Sequence, residues 1–180
     1  MKKIIIAIDS FKGCLTSAEA GKAAEKGIKS INPSCHTSVI PIADGGEGLL
    51  DVLITATKGK YITLSAHGPL MKMAKTHYGL SGNGRTAIIE MAAISGLPLV
   101  PIEQRNPMLT TTFGTGELIK DALNKGCRNF IIGIGGSATN DAGLGMLQAL
   151  GFRFLDKSGH TLGTGGQIME AVANIDTSGI

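Results

Sequence analysis

The chain has 180 residues, of which 43% are hydrophobic and 17% charged, with 26 glycines and a formal charge of +3 from 17 basic and 14 acidic side chains. This composition belongs to an ordinary globular protein and excludes the disordered, fibrous and disulfide-stapled classes. The charges are scattered singly and aromatic residues make up only 4%, so there is no basic stripe or stacking surface for nucleic acid.

Residues 3–8 form a short apolar, β-branched run that reads as a first strand. The run stops at Asp9, too early for the apolar region of a secretory signal and far too early to span a bilayer. No membrane partner is expected. Cys14, Cys35 and Cys127 are odd in number and far apart, which suits reduced thiols filling small core gaps in a cytoplasmic protein.

After the strand comes the loop "DSFKGCLTS". Thr16 and Glu19 then have the spacing of a capping box, and Ala20, Ala23, Ala24, Ile28 and Ile31 make the apolar stripe of a helix that stops near Pro33. A second strand is expected over 36–42, followed by "ADGGEG" and an apolar helix over 49–56. The pattern is βαβα.

The middle of the chain changes character. "KYITLSA", "KMAKTHYGL" and "RTAIIEMA" are strand-like, and "SGNG" between the last two is a hairpin turn signal. A mixed sheet therefore begins near residues 60–70, dividing a first α/β lobe over 1–65 from a second over 66–180. "SGLPLVPIEQRNP" carries three prolines and reads as a loop, and "TTTFGTGELIKDALNKG" as a polar glycine loop before a helix over 117–124 closed by Gly126.

Residues 130–134 are short and bulky, as in a strand buried on both faces of a parallel sheet, and Leu144, Leu147, Ala149 and Leu150 recur at helical spacing. The connector between them, "GIGGSATNDAG", lies at the carboxyl end of a strand, where α/β sheets bind their ligands. "FRFLD" is one more strand, and the tail holds another glycine loop and a short helix, with nothing expected to fold back and close a sheet. Half a sheet would leave an open edge and exposed apolar surface, and hence dependence on a partner or partial disorder.

Four connectors share one composition: "DSFKG", "ADGGEG", "TFGTGE" and "GIGGSATNDAG". Glycines let backbone amides converge on an anion, and carboxylates among them repel a phosphate unless a divalent cation sits between. Glycine, hydroxyl and acid together point to phosphoryl transfer, which asks for positioning and neutralisation of charge. Each piece also has a plain structural reading. Asp9 suits a loop cap, Lys12 a solvated surface, Asp44 an Asx-turn and Asp141 the N-cap of the next helix. Glu90 ends an apolar strand, where a carboxylate needs a partner; Arg105 is a candidate for that pairing, or for clamping a substrate carboxylate. His36, His67, His77 and His160 have no metal spacing and are assigned no role.

A competing pattern is "GIGGSA", which satisfies G-x-G-x-x-A after a strand, with Asp156 about where a dinucleotide fold wants its ribose acid. An NAD(P)-binding oxidoreductase built on Gly133, Gly135 and Asp156 is the alternative. Against it, "TND" prolongs the loop and the fingerprint leaves "DSFKG" and "ADGGEG" unexplained.

The runs "AIDSFKGCLTSAEA", "PIADGGEGLLD", "IEMAAISGLPLV", "RNPMLTTTFGTGELI", "GIGGSATNDAGLGMLQALG" and "IDTSG", in that order, resemble the bacterial-type glycerate kinase family. The resemblance spans essentially the whole chain but only the amino-terminal half of the family's usual length. It implies two intertwined α/β lobes, one Rossmann-like or flavodoxin-like with parallel strands and one with a mixed sheet. It further implies an active site in the cleft between them, where ATP would phosphorylate D-glycerate to 2-phosphoglycerate, or to 3-phosphoglycerate.

Mapped onto this chain, the resemblance implies that Lys12 stabilises the transferring phosphate and that Asp44 or Asp141 acts as base or, with Glu47, holds Mg²⁺. Gly114, Thr115, Gly116, Gly135, Gly136, Ser137, Thr139 and Asn140 would cradle the nucleotide, and Arg105, Glu90 and Ser10 would bind substrate. The alternatives beside this reading are a homo-oligomer and an inactive truncated fragment.

Overall fold

The structure is a computed structural model and describes residues 3–180. Strand β1 (Lys3–Ile6) lies parallel to β2 (His36–Val39), from Lys3 opposite His36 to Ile6 opposite Val39. Helix α1 (Ser17–Ile31) makes the crossover. Its capping box forms as expected: Thr16 Oγ1 accepts from the Glu19 amide at 3.2 Å, and Glu19 Oε2 accepts from the Thr16 amide at 2.8 Å. Gly21 sits so close to Val39 that an added Cβ would overlap that side chain, so glycine sets the distance between helix and strand. Ser17, in the first turn, donates to the Ile8 carbonyl at 2.6 Å and accepts from the Ile42 amide at 3.0 Å. One hydroxyl thereby ties together the exits of both strands.

Helix α2 (Leu49–Thr57) follows the loop after β2 and packs on the second sheet of the chain. Leu50 and Ile54 bury themselves against Ile88 of the second sheet. That sheet has the order β3-β4-β5-β6, built from β3 (Lys60–His67), β4 (Met73–Leu80), β5 (Thr86–Glu90) and β6 (Asn129–Gly133). The first three strands are antiparallel neighbours, and β5 and β6 are parallel. "SGNG" closes the β4–β5 hairpin, with the Gly84 amide bonded to the Ser81 carbonyl at 2.8 Å.

The main core lies on the opposite face from α2, where Leu118, Ile119 and Ala122 of α4 (Phe113–Asn124) pack on Ala66, Tyr78, Ala87 and Ile89. Tyr78 is fully buried and its hydroxyl donates to Asp121 Oδ2 at 2.8 Å, which supplies the partner that a buried phenol needs. A single turn, α3 (Ala92–Ser95), and α5 (Leu144–Ala149) complete this layer around α4. The structure thus has a parallel sheet and a mixed sheet with helices on both faces of the latter.

Three sequence expectations change. Helix α4 begins at Phe113 rather than 117, because "FGTGE" is not a loop: Gly114 and Gly116 are sites of close packing where an added Cβ would collide with the carbonyls of His67 and Met146. The strand expected over 130–134 is not buried on both faces. It is the last strand of its sheet among the described residues, with Ile131 and Ile132 exposed by 42% and 37%. Finally, the tail does fold back, since β8 (Asn174–Asp176) pairs antiparallel with β7 (Arg153–Leu155).

The two halves of the described chain meet where β6 ends. A Cβ on Gly133 would stand 2.6 Å from both the Gly45 carbonyl oxygen and Leu49 Cδ2, and one on Gly135 would stand 2.7 Å from Gly46 Cα. The Gly135 amide donates to the Gly45 carbonyl at 3.3 Å. Backbone lies directly on backbone, so a side chain here forces displacement rather than a rotamer change. Gly133→Ala should therefore cost about 1–3 kcal/mol, the usual penalty of overpacking. Urea unfolding measures it, and a variant as stable as the parent would mean that the two loops do not touch.

Candidate active site

A groove of about 770 Å³ opens beside this glycine contact. Its walls include Lys12 from the loop after β1, Asp44, Gly45, Gly46 and Glu47 from the loop after β2, Glu90 at the end of β5, and Gly133, Gly135 and Gly136 from the loop after β6. Four strand exits converge, as the physics of α/β sheets leads one to expect for a ligand site. A second cavity of about 450 Å³, on the side of Ser10, Phe11 and Cys14, shares Glu47, His77 and Glu90 with the groove as a common wall. Ser10 faces that cavity; its Oγ is buried with no hydrogen-bond partner among the described residues.

Lys12 Nζ lies 3.9 Å from Asp44 Oδ2, with both side chains more than half exposed. Solvent screening makes such a pair weak in itself; its interest is that two separate loops bring opposite charges to one spot. Asp44 is also the Asx-turn acceptor that its position suggested, taking the Gly46 amide on Oδ1 at 3.1 Å. Gly45 and Gly48 adopt φ of 96° and 90°, a left-handed backbone that glycine alone adopts without strain. Glu47 is exposed on the same loop.

Glu90 does not pair with Arg105. Its Oε1 accepts from the Leu50 amide at 2.7 Å, so it caps the amino end of α2, where the unpaired amides of the first turn need an acceptor. Burial pushes its carboxyl above the ordinary value of 4.5, and the amides of Leu50 and Gly48 oppose that shift. The expectation that histidines are bland needs a qualification. His77 lies on the wall shared by both cavities, and only the β3–β4–β5 register, invisible in residue spacing, brings it beside Glu90. His67 has a structural partner, with Nδ1 lying 2.9 Å from Glu117 Oε1.

Asp141 lies apart from this groove. It is 1% exposed, and its two oxygens accept from the amides of Thr112, Gly143 and Gly145 and from the hydroxyls of Thr111 and Thr112. Both oxygens are engaged in tying the start of α4 to the start of α5, so the structure brings together Lys12 and Asp44 but not Asp141. Gly114, Thr115 and Gly116 are likewise buried in the first turn of α4, with Thr115 Oγ1 and Ser95 Oγ 2.9 Å apart, and they offer no amide to a ligand. Ser137 and Thr139 line a different cavity together with Arg105, on the far side of the loop from Gly135 and Gly136. Asn140 is exposed beyond them.

The loop from 133 to 138 is held by a ladder against 91–97: Met91 donates to the Gly133 carbonyl at 2.9 Å, Leu97 to Gly136 at 3.0 Å, and Ala138 to Ser95 at 2.8 Å. This removes the basis of the dinucleotide alternative. The chain runs on for ten residues after Gly133 before α5 begins, and β7 pairs with β8 rather than with β6. Asp156 turns inward on its own loop, accepting from the amides of Ser158 and His160.

No cluster of three or more His, Cys, Asp or Glu among the described residues is arranged to hold a metal ion. Asp44 and Glu47, on one loop beside the groove, nevertheless suit magnesium, which is usually bound through one or two carboxylates, with phosphates and waters completing the shell. No helix among the described residues is long and apolar enough to cross a membrane.

A glycine-lined groove with a lysine and carboxylates at the exits of several strands suits a phosphate-bearing ligand in an α/β protein. A family model described as "Glycerate kinase family" matches residues 4–180. The chain is 54% identical over 178 residues to a glycerate kinase from Bacillus subtilis (strain 168), covering 99% of this chain and 47% of that protein. It is 49% identical over 178 residues to a glycerate 2-kinase from Escherichia coli (strain K12), with the same coverage of 99% and 47%. A crystal structure assigned as a glycerate kinase 2 from Salmonella typhimurium LT2 superposes with a TM-score of 0.86 at 49% identity, covering 99% of this chain and 48% of that one. The chain belongs to the glycerate kinase family. It spans about half the length of the curated relatives it matches.

Two outcomes test the carboxylates. Asp141→Asn places an amide donor against the amides it now accepts from, and should lower unfolding free energy by about 2–4 kcal/mol; because both oxygens are internally engaged, the loss should be the same with and without Mg²⁺. For Glu90 the folded pKa lies above the unfolded one, so its contribution is fully present below pH 4.5 and is lost as pH rises through the raised value. Urea unfolding at a series of pH values should show this decline. Glu90→Gln, which keeps an acceptor for Leu50, should flatten it, and an unaltered slope would contradict the assignment.

Proposed function

We propose that this chain supplies much of the active site of an ATP-dependent D-glycerate kinase that works in the cytoplasm and yields 2-phosphoglycerate. The observation that carries the reading is the meeting of Lys12, Asp44 and the Gly135–Gly136 backbone, from three separate loops, on one groove. The names of the relatives supply the substrate class.

In this reading the γ-phosphoryl group leaves ADP as its bond to the bridging oxygen breaks, and a new bond forms to the 2-hydroxyl of glycerate. Lys12 stabilises the charge that spreads over the transferring group, and the amides around Gly135 and Gly136 orient it; such positioning is most of what the reaction requires. Asp44 and Glu47 are the residues that would hold Mg²⁺, which supplies charge neutralisation between the phosphates and these acids when bound. With Asp141 engaged elsewhere, Glu90 is the better acceptor for the hydroxyl proton. It faces the groove, and burial raises its pKa toward the range in which a general base works well. Ser10 Oγ, buried without a partner among the described residues, lines the adjoining cavity that shares Glu90 with the groove, which supports a role for that cavity in binding a hydroxylated substrate.

The test is ADP release from ATP and D-glycerate, measured with this chain mixed with a polypeptide that supplies the remaining length of its relatives. Activity that requires Mg²⁺ is expected, with Lys12→Ala and Asp44→Asn each lowering kcat/KM by roughly 100-fold or more. Absence of ADP release, or full activity in both variants, would count against the reading.

A further inference from the structure

We infer that a second ligand site lies across the glycine loop from the groove, in a cavity of about 290 Å³ at Arg105 that takes a small anionic group, a carboxylate or a phosphate. The inference rests on the proposed function only for the identity of one candidate ligand, glycerate itself.

The electrostatic contrast between the two sides of the loop comes first. The groove is lined by three carboxylates, Asp44, Glu47 and Glu90, against Lys12. The Arg105 cavity is lined by one cation and no carboxylate, with Thr110, Ser137 and Thr139 adding hydroxyls. An anion without a metal is repelled by the first and attracted by the second.

The guanidinium of Arg105, an exposed residue, is anchored at one point. Its Nε donates to the carbonyl of Val100 at 3.3 Å, and Val100 is 2% exposed, so the base of the fork is fixed to a buried strut. The two terminal nitrogens have no protein partner among the described residues. A planar pair of free donors matches the two oxygens of a carboxylate or phosphate.

The opposite wall is pinned in the same way. Thr110 Oγ1 donates to the Ala138 carbonyl at 2.7 Å, and the Thr139 amide donates to Ser137 Oγ at 3.1 Å. The hydroxyls of Ser137 and Thr139 lie 2.7 Å apart and share one hydrogen bond. Whichever of them donates, one O–H proton is left over. That leftover donor and the arginine fork give the cavity three directed N–H or O–H groups and nothing negative to oppose a ligand.

The chain, labelled with ¹⁵N, is titrated separately with sodium D-glycerate and with sodium phosphate, against sodium chloride at matched ionic strength. Saturable shifts of the Arg105 Nε–H and the Thr139 amide are expected with at least one of the two. Response to glycerate alone assigns a carboxylate ligand, and response to phosphate alone assigns a phosphate. Arg105→Gln should weaken binding by roughly tenfold or more, and Arg105→Lys should recover only part, because an ammonium cannot fork.

Shifts no larger than with chloride, or shifts that persist in Arg105→Gln, would overturn the inference. Titration with MgATP reads the groove independently through Gly45, Gly46 and Gly135. A response there with silence at Arg105 in every titration removes the second site and leaves the kinase reading intact; the reverse pattern removes the groove and leaves this site.

Discussion

The contact of Gly45 and Gly46 with Gly133 and Gly135 is the constraint on which the site depends. Strand β2 and strand β6 belong to different sheets, and nothing in their own hydrogen bonding fixes one relative to the other. What fixes them is two loops without side chains, lying so close that an added Cβ on either Gly133 or Gly135 would meet backbone below 3 Å. Leu49, the first residue of α2, packs at the same point, and α2 in turn lies on the mixed sheet through Leu50 and Ile54. Lys12 and Asp44 therefore face Gly135 and Gly136 as a result of close packing, at no cost in buried polar groups.

Three carboxylates of similar appearance have three different fates, and hydrogen bonding decides each. Asp141 collects donors from Thr111, Thr112, Gly143 and Gly145 in a buried setting, and both of its oxygens are occupied by them. Glu90 takes the amino end of α2 through the amides of Leu50 and Gly48 and stands on the wall of the groove. Asp44 bonds only its own loop through Gly46 and meets Lys12 across the opening. Asp44, Glu47 and Glu90 thus line the groove, and Asp141 lies buried outside it.

Local signals were legible and long-range ones were not. The capping box at Thr16 and Glu19 and the "SGNG" hairpin depend on neighbours in sequence and form as expected. The Asx-turn at Asp44 is equally local and forms as expected. Asp141 is not the N-cap of α5, a position held by Gly143; its carboxylate instead bonds the distant Thr111 and Thr112 together with Gly143 and Gly145. By contrast, "FGTGE" has the composition of a phosphate loop yet is a helix start, because its glycines answer to His67 and Met146, residues far away in sequence. Glu90 was recognisable as a carboxylate in need of a partner, but that partner is a backbone amide of α2, which carries no sequence signature. Ser137 and Thr139 lie beside Gly135 in sequence and on the other side of the loop in space, as the ladder to 91–97 dictates.

Ser17 has a consequence for motion. By bonding to Ile8 and to Ile42 at once, it makes a rivet between the lever arms that carry Lys12 and Asp44. Breathing of either arm is transmitted to the other, so the mouth of the groove can sway as one lip but is resisted from spreading, and the separation of its two opposite charges is buffered against thermal drift.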